Sequence, residues 1–306
     1  MYYGIDIGGT KTAFAVFNEQ ESELSRAVQP TPHQNYEALL SLIIKWVEAA
    51  DFEWKTTGQV GIGFPGTVDK QGCLMALNVP ALHGQPLIAD LAQRLARPVF
   101  ADNDANCFLL SEYQGGAVAH RHWCLGVTLG TGVGGALLHR GVLITGKNGG
   151  AGEFGHGAIH PMVLARYPEL PLLSCGCGLQ GCLEAYVSGT GLERLYQHLS
   201  TQPLSAPAVI TAWHADEMAA TTSVNWYLEV LAAGIANLMT QLDPEVVVLG
   251  GGVSEQAWLY EQLNTRLPHY LMRHQAPALV VAPLFGGTGG VRGAALLAKH
   301  RTSPFS

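Results

Sequence analysis

Short segments with the alternation of a β-strand open the chain. Residues 2–7 and 13–17 are β-branched and alternating, and Gly8, Gly9 and Thr10 between them supply a tight turn. Residues 2–17 therefore predict a β-hairpin that turns on glycine.

A helical period follows the hairpin. Apolar residues recur at the i, i+3, i+4, i+7 spacing of a helix with one buried face, at Tyr36, Leu39, Leu40, Ile43, Ile44 and Val47. Further patterns predict strands at 59–64, 99–101, 123–129 and 136–139, and helices at 87–95, 105–113, 187–199, 226–242 and 291–300. A strand, a glycine turn and a second strand at 123–139 repeat the opening hairpin, so we expect two similar lobes with a boundary near residues 115–120.

Composition narrows the class of protein. The chain has 306 residues, 48% apolar and 13% charged, which excludes a disordered chain and allows two sizeable cores. Its net charge is −7 and it contains no run of Lys or Arg, so we expect neither a nucleic-acid partner nor an anionic membrane surface. No export signal is visible at MYYGIDIGGT, and we expect a cytoplasmic protein without disulfides.

Three glycine segments are candidates for binding phosphate, because a glycine turn exposes backbone N–H groups without side chains in the way. They lie at residues 8–11, 130–135 and 250–252. An ordinary hairpin turn explains any one of them equally well. Lys11 adds positive charge for a phosphate, and Asp6, at the strand end, could hold Mg²⁺ through waters.

Two clusters carry further candidate chemistry. In DNDAN, residues 102–106, one Asp or Asn is explained as a helix N-cap, but three are not. Cys175, Cys177 and Cys182 have a CxCx4C spacing whose glycines allow three thiolates to converge on tetrahedral zinc, the alternative being free thiols. Spacing alone leaves the fourth ligand open among four candidates: His156, His160, Glu153 and Glu184.

These motifs, in this order, resemble the sugar kinase, heat-shock protein and actin superfamily, and most closely its ROK family. The motifs are DIGGTK (6–11), GIGFPG (61–66), DNDAN (102–106), GTGVGG (130–135), GEFGH (152–156), CGCGLQGC (175–182) with Glu184, and VVLGGG (247–252). The resemblance covers almost the whole chain. It implies an α/β, two-lobed actin/hexokinase/Hsp70-like ATPase fold with ribonuclease H-like lobes and a structural zinc site. The N-terminal lobe is expected at 1–118, with a C-terminal helix 290–302 packing back on it, and the C-terminal lobe at 119–289.

The resemblance also implies roles for individual residues. Asp104 is the expected catalytic base. His156 is the expected fourth zinc ligand beside the three cysteines, leaving no open position on the metal, and its second ring nitrogen would donate to the sugar. The sugar site is expected to comprise Asn78, Asn103, Asp104, Glu153, His156 and Glu184. The ATP and Mg²⁺ site is expected to comprise Asp6, Gly8, Gly9, Thr10, Lys11, Gly130, Thr131, Gly132, Val133, Gly134, Gly135, Gly251 and Gly252.

The activity implied is ATP-dependent phosphorylation of N-acetyl-D-glucosamine at its 6-hydroxyl, in amino-sugar salvage, by a homodimer. Ala81 stands in NVPALHGQPL where many glucose- and fructose-specific relatives carry Trp, and we expect this small residue to leave space for the acetamido group. The alternatives are glucose, fructose or N-acetylmannosamine as acceptor. A ROK repressor needs a DNA-binding segment, and only five residues precede Asp6. A non-catalytic sugar-binding regulator is a further alternative. A non-catalytic ATP-binding scaffold of the actin or chaperone type would need neither the zinc cluster nor Asp104.

Overall fold

The computed structural model describes residues 1–76 and 78–300. The strands within these ranges are β1 Tyr2–Ile7, β2 Lys11–Phe17, β3 Glu23–Pro30, β4 Gln59–Phe64, β5 Thr67–Val68, β6 Leu74–Met75, β7 Val99–Asn103, β8 Trp123–Leu129, β9 Val133–His139, β10 Val142–Leu143, β11 Val246–Gly250 and β12 Leu279–Val281. The α-helices are α1 Tyr36–Trp54, α2 Leu87–Leu95, α3 Asp104–Tyr113, α4 Pro161–Arg166, α5 Glu184–Val187, α6 Gly189–Leu199, α7 Ala206–His214, α8 Met218–Leu242, α9 Ala257–Arg266 and α10 Gly289–His300. Short 3₁₀ helices occur at Phe154–His156, Gly252–Glu255, Leu267–His269 and Gly286–Thr288.

Two five-stranded sheets have the same strand order relative to the chain. The first is β3-β2-β1-β4-β7, and the second is β10-β9-β8-β11-β12. In the first, β1 pairs antiparallel with β2 and parallel with β4. In the second, β8 pairs parallel with β11, and β9 pairs antiparallel with β10. The predicted repeat of the opening hairpin is therefore confirmed as a repeat of a mixed sheet.

Helix α1 covers the first sheet with the face that the sequence predicts. Leu39, Leu40, Ile43 and Val47 are fully buried in one apolar cluster with strand residues such as Ile5. The Asn35 side chain accepts a hydrogen bond from Ala38 N and caps the helix start. Lys55, in the left-handed conformation, ends the helix.

The last helix packs on the first sheet at glycine positions. A Cβ added to Gly61 on β4 would lie 1.8 Å from the carbonyl oxygen of Ala294 on α10, and one added to Gly4 would lie 1.9 Å from that of Val291. On the other side of the helix, a Cβ at Gly293 would lie 1.8 Å from the carbonyl oxygen of Cys107 on α3. Backbones at these distances leave no room for a side chain, which explains why small residues occupy both elements. Residues 301 and 302 of the predicted helix 290–302 lie outside the described residues.

The chain divides into two compact units. Among the described residues, the first unit comprises 1–120, 136–151 and 287–300, and the second unit comprises 121–135 and 152–286. Residues 136–151 thus differ from the predicted division, which assigns all of 119–289 to the C-terminal lobe. The physical reason is local packing, since Leu143 contacts the apolar cluster formed by Cys107, Leu110 and α10 residues, and Gly141 lies against the Tyr113 ring.

The core of the second unit is centred on α8. This 25-residue helix packs against α5, α6, α7 and α9 and buries apolar side chains on most of its circumference. The carboxylate of its buried Glu229 forms ion pairs with Arg266, at 3.2 Å from Nε, and with Arg166, at 3.6 Å from Nη1. It also accepts a hydrogen bond from the Tyr270 hydroxyl. Within the described residues, every helix is too short or too polar to cross a bilayer.

Candidate functional site

The first glycine turn closes the β1–β2 hairpin. Gly8 N donates to Lys11 O at 3.0 Å, and Gly9, Thr10 and Lys11 are exposed at the tip. Thr31 braces the turn, because its hydroxyl donates to Gly8 O at 2.6 Å and its N–H donates to Thr10 O at 3.0 Å. No local sequence signal marks Thr31, since its role depends on β3 returning beside the turn.

Asp6 lies at the end of β1, beneath this turn. Burial raises the pKa of its carboxyl to about 6, although the nearby charges of Lys11 and Arg26 oppose the shift. A Cβ at Gly290 would lie 2.5 Å from Asp6 Oδ2, so the glycine is what allows α10 to begin beside the carboxylate.

The DNDAN segment spans the end of β7 and the start of α3. Asn103 Oδ1 accepts from Ala105 N at 2.9 Å and so caps the helix, while Asp104 Oδ1 accepts from the same N–H at 2.8 Å. Asp102 is 2% exposed, and its Oδ1 accepts from Asn103 N and from Asn106 Nδ2, each at 2.7 Å. Burial raises the pKa of Asp102 to about 6. The sequence did not indicate that Asp102 is buried and holds Asn103 and Asn106 through hydrogen bonds.

Asn78 lies close to the first glycine turn. Its backbone carbonyl oxygen is 3.2 Å from His33 Nε2, and a Cβ at Gly9 would lie 3.3 Å from the same oxygen. The side chain of Asn78 is exposed. The first unit therefore holds, at the carboxyl ends of its parallel strands and in the adjacent loops, the predicted residues Asp6, Gly8, Gly9, Thr10, Lys11, Asn78, Asn103 and Asp104.

The second glycine turn links β8 to β9. Gly130 N donates to Gly132 O at 3.0 Å, and Gly134 N donates to Thr128 Oγ1 at 3.1 Å. Val133 N donates to Glu184 Oε2 at 2.9 Å, so this amide is directed at a carboxylate. Thr131 is exposed at the tip of the turn.

The third glycine segment begins at Gly250, the last residue of β11, and lies beside the second glycine turn. Gly250 pairs with Thr128 across the parallel β11–β8 ladder. Gly251 has a φ of +81°, and a Cβ there would lie 2.4 Å from Leu129 O, so both its backbone conformation and its close contact require glycine. The second unit thereby brings two of the three predicted glycine segments to one edge of its sheet.

Four ligand atoms converge in the second unit. The ring nitrogens and sulfurs of His156, Cys175, Cys177 and Cys182 lie within 4.8 Å of one another. Zinc bond lengths and a tetrahedral angle imply about 3.8 Å between two sulfurs and about 3.6 Å between sulfur and nitrogen. Cys177 Sγ and Cys182 Sγ are 3.6 Å apart, and Cys175 Sγ and His156 Nδ1 are also 3.6 Å apart. The donor set and its spacing therefore fit tetrahedral zinc.

The local backbone explains this convergence. Gly178 N donates to Cys175 O at 3.1 Å, and Cys175 N donates to Leu179 O at 2.8 Å, which folds the loop back on itself. Gly178 and Gly181 have φ values of +93° and +73°, which favour glycine. Burial raises the pKa of the Cys182 thiol to about 12.

The other candidates for a fourth ligand have different partners. His160 Nδ1 accepts from Met162 N at 3.2 Å and caps α4. Glu153 Oε2 lies 3.7 Å from His156 Nε2, the ring nitrogen facing away from Cys175, and burial raises the pKa of Glu153. Glu184 Oε1 lies 3.7 Å from Cys175 Sγ while its other oxygen accepts from Val133 N. Among these candidates, His156 is the one whose ligand atom lies within 4.8 Å of all three sulfurs in the cluster.

Two mixed sheets, each with a glycine turn between its first pair of strands, define an α/β protein with the fold of ROK sugar kinases. The chain belongs to the ROK family, whose model matches residues 2–301. It is 44% identical over 301 residues to the N-acetyl-D-glucosamine kinase of Citrobacter koseri, covering 97% of this chain and 99% of that one.

Two solved structures are similar over nearly the whole chain. The ROK hexokinase of Thermus thermophilus has a TM-score of 0.85 and 34% identity, with 98% of each chain covered. The ROK glucokinase of Streptomyces griseus, solved with glucose and AMPPNP, has a TM-score of 0.82 and 30% identity, covering 98% of this chain and 99% of that one.

Proposed function

We propose that the protein transfers the γ-phosphoryl group of ATP to the 6-hydroxyl of N-acetyl-D-glucosamine. The observation that carries the proposal is the 44% identity, over almost the full length of both chains, to a relative named for that activity. The similarity to a glucokinase solved with glucose and AMPPNP supports a sugar and ATP as the two classes of substrate. The place of the reaction is then amino-sugar salvage, in which the free sugar is phosphorylated before further use.

Asp104 is the proposed catalytic base. It begins α3, where the N-terminal N–H groups favour an ionised carboxylate, and its Oδ1 is held by Ala105 N. An ionised aspartate is a weak base, but phosphoryl transfer has a loose transition state in which orienting the attacking hydroxyl matters more than basicity. Asn103, fixed by its own cap to the same helix, would hold the sugar beside it.

The nucleotide is assigned to the glycine turns. Exposed backbone at Gly9, Thr10 and Thr131 and the ammonium of Lys11 suit phosphate oxygens, and Gly251 and Gly252 would leave room for the nucleotide beside the second turn. Asp6 would hold Mg²⁺ through waters, because Mg²⁺ usually keeps part of its hydration shell. When bound, the ion neutralises charge developing on the transferred phosphoryl group.

The Cys/His cluster is the proposed structural zinc site. His156, Cys175, Cys177 and Cys182 would hold a zinc ion with four ligands and no open position, so the metal would support the shape of the sugar pocket and would not activate water. With Nδ1 of His156 facing the sulfurs, its Nε2 would be an N–H donor of fixed direction for a sugar hydroxyl. Glu153 and Glu184 flank this histidine, and Asn78 of the first unit is the remaining proposed sugar contact.

Ala81 does not support the choice of sugar in the expected way. Its side chain is 5% exposed and belongs to the apolar cluster of the first unit, and its N–H donates to His33 O at 3.0 Å. Because this methyl group packs in the core, it does not open a space for an acetamido group beside Ala81 within the first unit. The preference for an acetamido sugar therefore rests on the similarity to the named relative, and glucose, fructose and N-acetylmannosamine are the competing acceptors.

We further propose a cytoplasmic homodimer. A cluster of three thiols that binds zinc needs the reducing conditions under which disulfides are rare, and ATP is supplied in the same compartment. The dimer follows from the family resemblance, and light scattering at several protein concentrations tests it.

A coupled ADP-release assay tests the proposal. N-acetylglucosamine, N-acetylmannosamine, glucose and fructose are compared by kcat/KM with Mg-ATP, and N-acetylglucosamine is expected to have the highest value. Asp104→Asn should lower kcat by about 10²–10⁴-fold. Asp216→Asn, at an exposed position with positive φ that Asn tolerates, is the matched control. A higher kcat/KM for glucose would reject N-acetylglucosamine as the preferred acceptor. If none of the four sugars leads to ADP release, the kinase activity would be rejected in favour of a sugar-binding regulator.

A further inference from the structure

One carboxylate in the second unit contacts both the Cys/His cluster, formed by His156, Cys175, Cys177 and Cys182, and the second glycine turn. Glu184 Oε1 lies 3.7 Å from Cys175 Sγ, and Glu184 Oε2 accepts from Val133 N at 2.9 Å. Val133 is 5% exposed and begins β9 directly after the tip of the turn. Glu184 therefore holds the backbone of the turn at the point where the turn enters the sheet.

Two further contacts attach the turn to the same region. Gly189 N, at the start of α6, donates to Gly130 O at 2.7 Å. A Cβ added to Gly155 would lie 2.5 Å from Val133 O and 3.4 Å from Glu184 Cβ, so Gly155 fills the narrow space between them. Both ends of the turn are thus attached to segments on either side of the cysteine loop.

These segments are continuous with the metal ligands. Gly155 directly precedes His156, and Glu184 follows Cys182 by two residues. Leu183 N donates to Gly157 O at 2.8 Å, and Ala158 forms a β-bridge with Cys182. A metal ion that ties His156 to Cys182 would fix the distance between the two segments, and with it the position of Glu184.

We propose that Glu184 is a positioning residue for the nucleotide, because its carboxylate, through Val133 N, holds the second glycine turn in its phosphate-binding shape. The Cys/His cluster then supports ATP affinity as well as the sugar pocket. The inference rests on the proposed kinase function. Beside its expected contact with the sugar, Glu184 then has a second role in nucleotide binding, which does not require a bound sugar.

Nucleotide binding in the absence of sugar separates the two roles. Calorimetry with Mg-AMPPNP is run on the zinc-loaded full chain. Glu184→Ala removes the acceptor for Val133 N and should weaken nucleotide binding about tenfold, in line with the loss of a hydrogen bond to a charged group. Glu184→Gln keeps an acceptor oxygen at the same distance along the side chain and should bind nucleotide within about twofold of wild type.

Glu169→Ala is the matched control. It removes an exposed carboxylate of the second unit that belongs neither to the Cys/His cluster nor to the second glycine turn, and it should leave nucleotide binding unchanged. Zinc content and near-UV circular dichroism are measured on each variant, and binding is compared at equal zinc occupancy.

Removal of zinc is the second arm. Chelation should weaken nucleotide binding to wild type and have a smaller effect on Glu184→Ala, because coupled contacts are not additive. Nucleotide affinity of Glu184→Ala equal to wild type would overturn the inference and leave Glu184 with a sugar role only. Absence of nucleotide binding in zinc-loaded wild type would instead reject the kinase function itself.

Discussion

Asn103 Nδ2 donates a hydrogen bond to Gly66 O at 3.0 Å. The bond joins the two motifs GIGFPG and DNDAN, and its two residues are 37 positions apart in the chain. Gly66 has a φ of +111°, and a Cβ there would lie 2.1 Å from Met75 O, so only glycine presents its carbonyl at this place. Because Asn103 also caps α3, the bond fixes the start of the helix that carries Asp104.

Removing the Asn103 side chain should therefore affect both stability and sugar binding. Asn103→Ala loses the cap and the bond to Gly66, and we expect the free energy of unfolding to fall by about 1–3 kcal/mol and the sugar KM to rise. Asn103→Ser restores a capping oxygen but not the amide donor, so it should recover the part of the stability that comes from the cap and should not recover KM. Urea unfolding and steady-state kinetics measure the two effects, and equal stability of wild type and Asn103→Ala would contradict the capping role.

Removing the metal should lower thermal stability. Chelation, or Cys182→Ser at a position only 1% exposed, is expected to lower Tm by about 5–10 °C, since binding to the folded state alone adds to its stability. Because burial raises the pKa of Cys182 to about 12 without the ion, zinc must displace protons, and its affinity should fall as pH is lowered. Scanning calorimetry and zinc content check both expectations. Cys73→Ser, outside the cluster, should keep full zinc content.

The contact between β4 and α10 predicts a severe packing effect. Gly61→Ala places a methyl group 1.8 Å from Ala294 O, where backbone on both sides prevents relaxation, so we expect a loss of about 3 kcal/mol or more. Gly252→Ala is the comparison, because no atom lies within 4 Å of its added Cβ. Denaturant unfolding should rank Gly61→Ala far below Gly252→Ala, and similar midpoints would show that α10 can shift to make room.

Buried Asp102 predicts a specific pH dependence of stability. Its pKa is about 6 when folded and near the ordinary value of 3.8 when unfolded, so the folded state holds the proton more tightly. The stabilising contribution is present below pH 4 and is lost as pH rises through about 6. Asp6, with a pKa also raised to about 6, acts in the same direction, while Asp104 and the buried thiol of Cys107 lie near Asp102.

Asp102→Asn should remove one part of this dependence. The part of the unfolding free energy that wild type loses between pH 4 and pH 7 because of Asp102, up to about 3 kcal/mol, should not be lost in the variant. Urea unfolding at half-unit pH intervals measures it. Glu48→Gln, at an exposed helical position, should reproduce the wild-type profile, and an unchanged slope in Asp102→Asn would assign the pH dependence to other groups.

The predicted elements match the structure best where periodicity is strong. Helix α2 and strands β4 and β8 have the predicted bounds, and α1 buries the predicted face. The predicted helices at 105–113 and 226–242 begin later than α3 and α8, because capping and tertiary packing extend helices beyond their apolar pattern. Strand β3 was not predicted. It is an edge strand with exposed Leu24 and Val28, and its mixed pattern lacks a buried face.

The local features of this protein could be predicted from the order of its residues: the two glycine hairpins, the helix-capping segment at Asn103 and Asp104, and a cysteine spacing suited to zinc. These depend on a few consecutive residues, whose backbone freedom and hydrogen-bonding groups can be read along the chain. The pairs of groups that meet from distant parts of the chain could be identified only in the folded protein. Thr31 braces Gly8, Glu184 holds Val133, His156 and not His160 joins the cysteines, and residues 136–151 pack with the first unit. Each of these depends on burial and hydrogen bonds between segments far apart in the chain, and no local pattern encodes such pairs.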